Sequence, residues 1–307
     1  MDIVGKRYWY FGLSLLIIIP GLIALAVWGL PLAIDFTGGS LLVVEFEPGK
    51  TPQPAQVLAI YNELGIADPL VQSAGETQIL ARSKFIEEAA KSALVAEMET
   101  RFGGEVTVQR FETVGPAVGA EVAQRAAGAV ALAAIGILAY ITYAFRRVPH
   151  AFRYGAAAIV AGLHDVLVVV GVEAFLGHFL GWEVDALFLT ALLTVIGFSV
   201  HDSIVVFDRI RENQRLHRRL EYAKLVNHSI VQTLARSVNT SLTVVLALVA
   251  LLLFGGVTTR HFVTILLIGV LIGTYSSIFN AAPLLVVWEK QEWRTWFRKR
   301  KPQPASA

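Results

Sequence analysis

The chain contains no cysteine, so neither a disulfide nor a thiolate ligand enters its chemistry, and its redox compartment cannot be read from it. Charge is scarce too. Asp, Glu, Lys and Arg make up 16% of the 307 residues, against about 25% in soluble domains. The net charge is only +2, which by itself points to no nucleic-acid or acidic partner. No small-residue cleavage site follows the first apolar run. Lys6 and Arg7 therefore introduce a retained span rather than a signal peptide. In place of charge stands apolar side chain, at 55% of residues, which is a membrane-protein composition.

A span needs about 20 mainly apolar residues. Six runs qualify: Tyr10–Leu30, Ala126–Phe145, Gly155–Phe175, Ala186–Phe207, Ser237–Phe254 and Phe262–Trp288. Lys and Arg sort by loop. With the N-terminus inside, the inner segments hold Lys6, Arg7, Arg146, Arg147 and Arg153, then the basic stretch 208–236 and the tail from Lys290. The short outer loops hold only Arg260. This bias predicts cytoplasmic termini and a multi-pass protein of the inner membrane. Trp9, Trp28, Trp182 and Trp288 fall near the expected interfaces, as aromatic belts do.

The expected divisions are 1–32 for the N-terminus and first span, 33–122 for an external domain, 123–290 for the remaining five spans, and 291–307 for a basic tail. In the external domain, Ser40–Phe46 reads as a strand and Pro54–Leu64 as a helix. Leu70–Ser73 and Thr77–Ala81 read as strands about the turn at Gly75-Glu76. Phe85–Phe102 reads as a helix stopped by Gly103-Gly104, and Glu105–Phe111 as a last strand. The order β-α-β-β-α-β predicts a periplasmic ferredoxin-like α+β domain. No catalytic set appears in it, and nothing elsewhere predicts an enzyme. Stretch 208–236 combines Arg211, Arg215, Arg218 and Arg219 with apolar Ile210, Leu216, Leu220, Leu225 and Val226. It reads as a cytoplasmic loop lying on anionic lipid, not as a nucleic-acid site. Arg298-Lys299-Arg300-Lys301 reads as a stop-transfer flank.

Within the spans, ionisable residues are costly. An Asp at mid-bilayer costs about 2.5–3.5 kcal/mol on insertion scales and marks a functional position by default. Asp202 lies well inside the fourth run, about 9 Å above its charged end at 1.5 Å per residue. Ser199, three residues earlier, shares its face. On the fifth run Arg236, Asn239, Thr240 and Thr243 form one polar stripe, and the matching depth predicts that Arg236 meets Asp202 directly or through water, with snorkelling to lipid phosphate as the alternative. His164-Asp165 sits near the centre of the third run as a second carboxylate with an imidazole beside it. On the sixth run Thr274, Ser277 and Asn280 form a milder stripe, and Gly269 and Gly273 suit close helix packing. An intramembrane protease pairing Ser199 with His164 would lack an oxyanion hole. The His and Asp spacings fit no metal cage. Two carboxylates, an arginine and several hydroxyls in an apolar bundle suit a proton relay, with the proton as coupling ion and no other cofactor.

These residues resemble a known family. Asp35-Phe36-Thr37-Gly38-Gly39 is similar to its D-F-T-G-G signature, and Val114-Gly115-Pro116-Ala117-Val118-Gly119 to its V-G-P-x-x-G. His164-Asp165 resembles its third-span H-D. Gly197–Asn213 resembles its G-[YF]-S-x-N-D-[TS]-x-V-V-F-D-R-I-R-E-N, and Thr233–Ser241 its T-L-x-R-[ST]-x-x-T-S. The chain thus resembles the SecD/SecF accessory subunits of the Sec translocon, members of the resistance-nodulation-division superfamily. The resemblance implies six helices forming half of a larger bundle, with SecD as the other half. It also implies the SecYEG channel, YajC, a translocating preprotein and membrane lipid as partners, and export driven by the proton motive force. Proton conduction would fall to Asp202 and Arg236. His201 stands where the family usually has Asn; an imidazole there either titrates or replaces the amide's hydrogen bond. A passive scaffold and half of a small-molecule exporter are the alternatives, and a domain of under about 90 residues is small for a drug-sized pocket.

Overall fold

The computed structural model describes residues 1–292, so the basic cluster at 298–301 and most of the expected tail lie outside the described residues. The chain forms two units. One comprises Met1–Pro31, Val130–Trp182 and the chain from Leu187. The other comprises Leu32–Ala129 with Glu183–Ala186.

The second unit begins with a short helix α2 (Ile34–Thr37), followed by β1 (Gly39–Glu45), α3 (Pro54–Glu63), β2 (Leu70–Ser73), β3 (Gln78–Ser83), α4 (Glu88–Phe102) and β4 (Thr107–Val114). The strands form one sheet in the order β2-β3-β1-β4, antiparallel throughout. Alternation along β1 turns Leu42 and Val44 to a core with Ile79, Ala81, Val57, Ile60, Tyr61, Leu94 and Met98. Burial pushes the Tyr61 phenol well above its usual range. Helix α3 starts with a capping box between Gln53 and Gln56, and α4 stops at Gly103 in the left-handed region.

The two glycine motifs meet in this unit. Gly38 has φ +71°, and a Cβ there would lie 2.7 Å from Pro116 Cα. A Cβ on Gly119 would lie 2.6 Å from the Gly38 nitrogen, and one on Gly39, at φ +129°, 2.6 Å from the Ser83 carbonyl oxygen. Glycine is required by both conformation and close approach. Asp35 accepts a hydrogen bond (2.9 Å) from the N–H of Ala186, the first residue of a later helix. Glu183 pairs with the largely buried Arg82, whose guanidinium burial holds below its usual value.

Six helices are long and apolar enough to cross a membrane. They are α1 (Arg7–Trp28), α5 (Pro116–Ala144), α6 (Ala151–Leu180), α7 (Ala186–Leu216), α8 (Tyr222–Phe254) and a composite of α9 (Val257–Ser276), a π-helical turn at Ser277–Ala281 and α10 (Ala282–Glu289). Three ends depart furthest from the apolar runs. Helix α5 begins at Pro116, whose missing N–H costs nothing in a first turn. Helix α7 continues to Leu216, and α8 starts at Tyr222. Stretch 208–236 is therefore a helical hairpin rather than a loop. Ile210, Leu225, Val226 and Ile230 are buried in it, and Asn213 Nδ2 donates to Ser229 Oγ (2.8 Å) and Gln232 Oε1 (2.9 Å). Of the apolar stripe, Ile210, Leu225 and Val226 pack inside the protein, while Leu216 and Leu220 at the turn are exposed.

The bundle core joins Ile141, Phe145, Tyr154, Phe207, Ile230 and Leu285. Phe145 stacks on Tyr154, and Phe207 meets both edge-on. The N-terminus is fixed there: Ile3 and Val4 are buried, and Asn227 accepts hydrogen bonds from both their N–H groups. At one crossing, a Cβ on Gly21 would lie 2.9 Å from Gly171 Cα, so α1 and α6 touch backbone to backbone. At another, a Cβ on Gly269 would strike Val195 and one on Gly273 would sit 3.2 Å from Ser199 Cβ. Small residues let α9 lie against α7, as the sequence spacing predicts.

Candidate functional site

Helix α6 turns Asp165 fully into the bundle, at 0% exposure. Three elements converge on its carboxylate. His164 Nδ1 lies 2.9 Å from Oδ1. Ser199 Oγ of α7 donates to Oδ2 at 2.5 Å, and Ser276 Oγ of α9 donates to the same oxygen at 2.8 Å. Both oxygens are satisfied, which is what a buried carboxylate requires. Gly273, one turn before Ser276, is what allows α9 to come close enough.

Asp202 differs. It is 2% exposed, yet its Oδ2 is buried with no hydrogen-bond partner among the described residues. Ser241 and Thr274 lie within reach of the carboxylate. Their hydroxyls, however, are 2.6 Å from each other and engage the carbonyls of Ser237 and Val270. At the next position, Ser203 Oγ donates to Ser277 Oγ (3.0 Å), and Ser277 Oγ donates to the Ser199 carbonyl (2.8 Å). Ser199 thus serves Asp165 with its side chain and Ser277 with its backbone carbonyl, one turn before Asp202 on α7.

Of the residues singled out from the sequence, Asp165, His164, Ser199 and Asp202 face inward. Arg236, Asn239, Thr240, Thr243 and His201 do not: all five are exposed on the outer faces of α7 and α8. Arg236 makes no ion pair or hydrogen bond among the described residues, so the expected Asp202–Arg236 pair is not formed within this chain. The reason is helical phase. The inward stripe of α8 is Ser229, Thr233, Ser237 and Ser241, spaced by four. Arg236 is one residue off that stripe, which turns it away by about 100°.

Several members escaped the sequence reading. Ser276 bonds Asp165, and the inward α8 serines were hidden by a more conspicuous arginine stripe. Thr274, Ser277 and Asn280 were expected mainly to pack, yet each makes a side-chain hydrogen bond, Asn280 to Ser14 Oγ at 2.8 Å. The π turn at Ser277–Ala281 has a local signal in Pro283, which has no N–H for the Phe279 carbonyl. Such turns are frequent at functional sites. Glu173, at 0% exposure and 3.0 Å from His261 Nε2, also went unnoticed.

A multi-helix membrane protein with a small antiparallel sheet unit and carboxylates buried between spans is the class these features define. Comparison with known proteins makes it particular. Residues 94–291 match the family of the protein export membrane protein SecD/SecF, C-terminal, and residues 23–50 match the SecD/SecF GG motif. The chain is 58% identical to protein translocase subunit SecF of Anaerolinea thermophila, covering 100% of both chains. It is 50% identical to the subunit of that name from Thermobaculum terrenum, over 100% of this chain and 99% of that one. The crystal structure of SecDF, a translocon-associated membrane protein from Thermus thermophilus, superposes with a TM-score of 0.81 at 34% identity. That match covers 94% of this chain and 39% of the other. The chain belongs to the SecD/SecF family of protein export membrane proteins, a family of translocase subunits, and its role is an accessory one in Sec protein export.

Proposed function

We propose that this chain, with a SecD partner, uses the proton motive force to promote preprotein translocation across the inner membrane. The observation that carries the reading is Asp202, a buried carboxylate with an unsatisfied oxygen inside an apolar bundle. Such a group gains either by taking up a proton or by meeting a positive partner. A change of its state alters which neighbours it can bind, and so which packing of α7, α8 and α9 is favoured.

The partner half explains the outward polar faces. Arg236, Asn239, Thr240, Thr243 and His201 would be expensive against lipid. Against a second six-helix half they become an interface, with Arg236 available to carboxylates there. The fused SecDF of Bacillus subtilis, of which this chain covers 38% at 35% identity, supports two such halves. The distribution of Lys and Arg supports cytoplasmic termini and a periplasmic sheet unit. Its strand order β2-β3-β1-β4 supports a ferredoxin-like domain. SecYEG, YajC and the emerging preprotein are the further partners of this reading. A passive scaffold is favoured by one observation, the full satisfaction of Asp165.

Preprotein uptake into membrane vesicles, with and without an imposed proton gradient, tests the proposal. The gradient should stimulate uptake with the wild-type chain and not with Asp202→Asn. Equal stimulation by both would leave the scaffold.

A further inference from the structure

Glu173 lies on α6 eight positions beyond Asp165, about 12 Å nearer the end at which α1 leaves for the sheet unit. It is completely buried. Oε2 is 3.0 Å from His261 Nε2 on α9, while Oε1 is buried without a partner among the described residues. His261 itself is half-enclosed, with the Trp182 ring 4.8 Å away and the Phe188 ring 6.2 Å away. The other ionisable groups on these helices are elsewhere. His178 is exposed and stacks on Trp28, Arg260 is exposed, and Asp165 holds its own three partners. His261 is the one group hydrogen-bonded to Glu173 among the described residues.

A purely structural pair would be expected to satisfy both carboxylate oxygens, since an unpaired buried one is costly. Here one oxygen is left over, and the imidazole at the other reaches partly exposed surface. Between this pair and the Asp165 cluster the helices carry buried apolar residues: Val168 and Val169 on α6, Ile265 and Val270 on α9. The arrangement is an ionisable pair near one end of the bundle, an apolar layer, and a second ionisable cluster beyond it.

We propose that Glu173 and His261 form the outer protonation site, which takes protons from the side of the sheet unit and delivers them across the apolar barrier toward Asp165 and Asp202. This rests on the proton-driven reading above. The imidazole collects the proton and passes it to Glu173.

The test uses the full chain with its SecD partner in proteoliposomes, with a pH-sensitive dye in the lumen and acid applied on the side of the sheet unit. Glu173→Gln should lower initial proton flux at least about tenfold, and Glu173→Asp should restore part of it. His261→Gln should displace the midpoint of flux against applied pH by about one unit. Wild-type rates and profiles in both variants, with flux still abolished by Asp202→Asn, would overturn the outer site alone. Flux that survives Asp202→Asn would overturn the proton reading and this site with it. Should the variants fail to fold, dicyclohexylcarbodiimide, which attacks protonated carboxyls in apolar surroundings, gives a readout on the wild-type protein. Mass spectrometry should find Glu173 modified more at low than at high applied pH, and modification that is absent or independent of pH would refute the site.

Discussion

Asp165 on α6 and Asp202 on α7 are both buried, yet the protein treats them oppositely. Asp165 is held at both oxygens by His164, Ser199 and Ser276. Asp202 keeps an unpartnered Oδ2 while its neighbouring hydroxyls, Ser241 and Thr274, are turned to one another. A saturated carboxylate fixes three helices in place. An unsaturated one is available for change. Burial alone therefore does not mark the working group; burial with an open hydrogen-bonding position does.

The comparison can be broken most easily at Asp165. Asp165→Ala leaves two hydroxyls and an imidazole without their acceptor, and should cost about 2–4 kcal/mol. Asp202→Asn, which removes charge from a site with an open oxygen, should change stability by less than about 1 kcal/mol. Thermal unfolding in detergent measures both, and equal losses would erase the distinction. Ser276→Ala sharpens it, with an expected loss of about 1 kcal/mol in the same assay. Arg236→Ala should leave unfolding of the isolated chain within about 0.5 kcal/mol, because the side chain is exposed and unpaired there. The same change should weaken co-purification with the SecD partner, and an unaltered yield would count against the outward face as an interface.

The smallest effect lies outside the spans. Burial raises the Glu292 carboxyl, but hydrogen bonds from Arg7 and Tyr8 outweigh it and hold the group below the usual carboxylate range. A lowered native value stabilises the fold above the unfolded-state value, about pH 4.3. That contribution is lost as pH falls through the native value. Glu292→Gln should therefore cost under about 1 kcal/mol at pH 7, and the difference from wild type should shrink below pH of about 4.

Much of the fold was legible because its signals are local. Apolar runs marked six spans, and strand alternation with Gly103 as a stop marked the sheet unit. The glycine motifs were legible as motifs, while their reason, the contact of Gly38 with Pro116 and Gly119, needed three dimensions. Asp165 and Asp202 were recognised as bundle residues and both are buried, but the helical phase of Arg236 was misread. Arg236 faces away from the bundle, whereas Ser241, five positions on, faces in. Serine carries little hydropathy signal, so Ser276, Ser203 and Ser241 passed as ordinary span residues. Glu173 was missed because it sits near the end of its run, where a carboxylate attracts less notice than at the centre.

The account stands or falls on Asp202. Proteoliposomes holding the full chain with its SecD partner, given a pH gradient and a lumenal dye, allow proton flux to be compared between the wild type and Asp202→Asn. The account predicts that flux in the variant falls to the level of liposomes without protein, while the variant unfolds at nearly the wild-type temperature. Wild-type flux through a folded Asp202→Asn protein would contradict it.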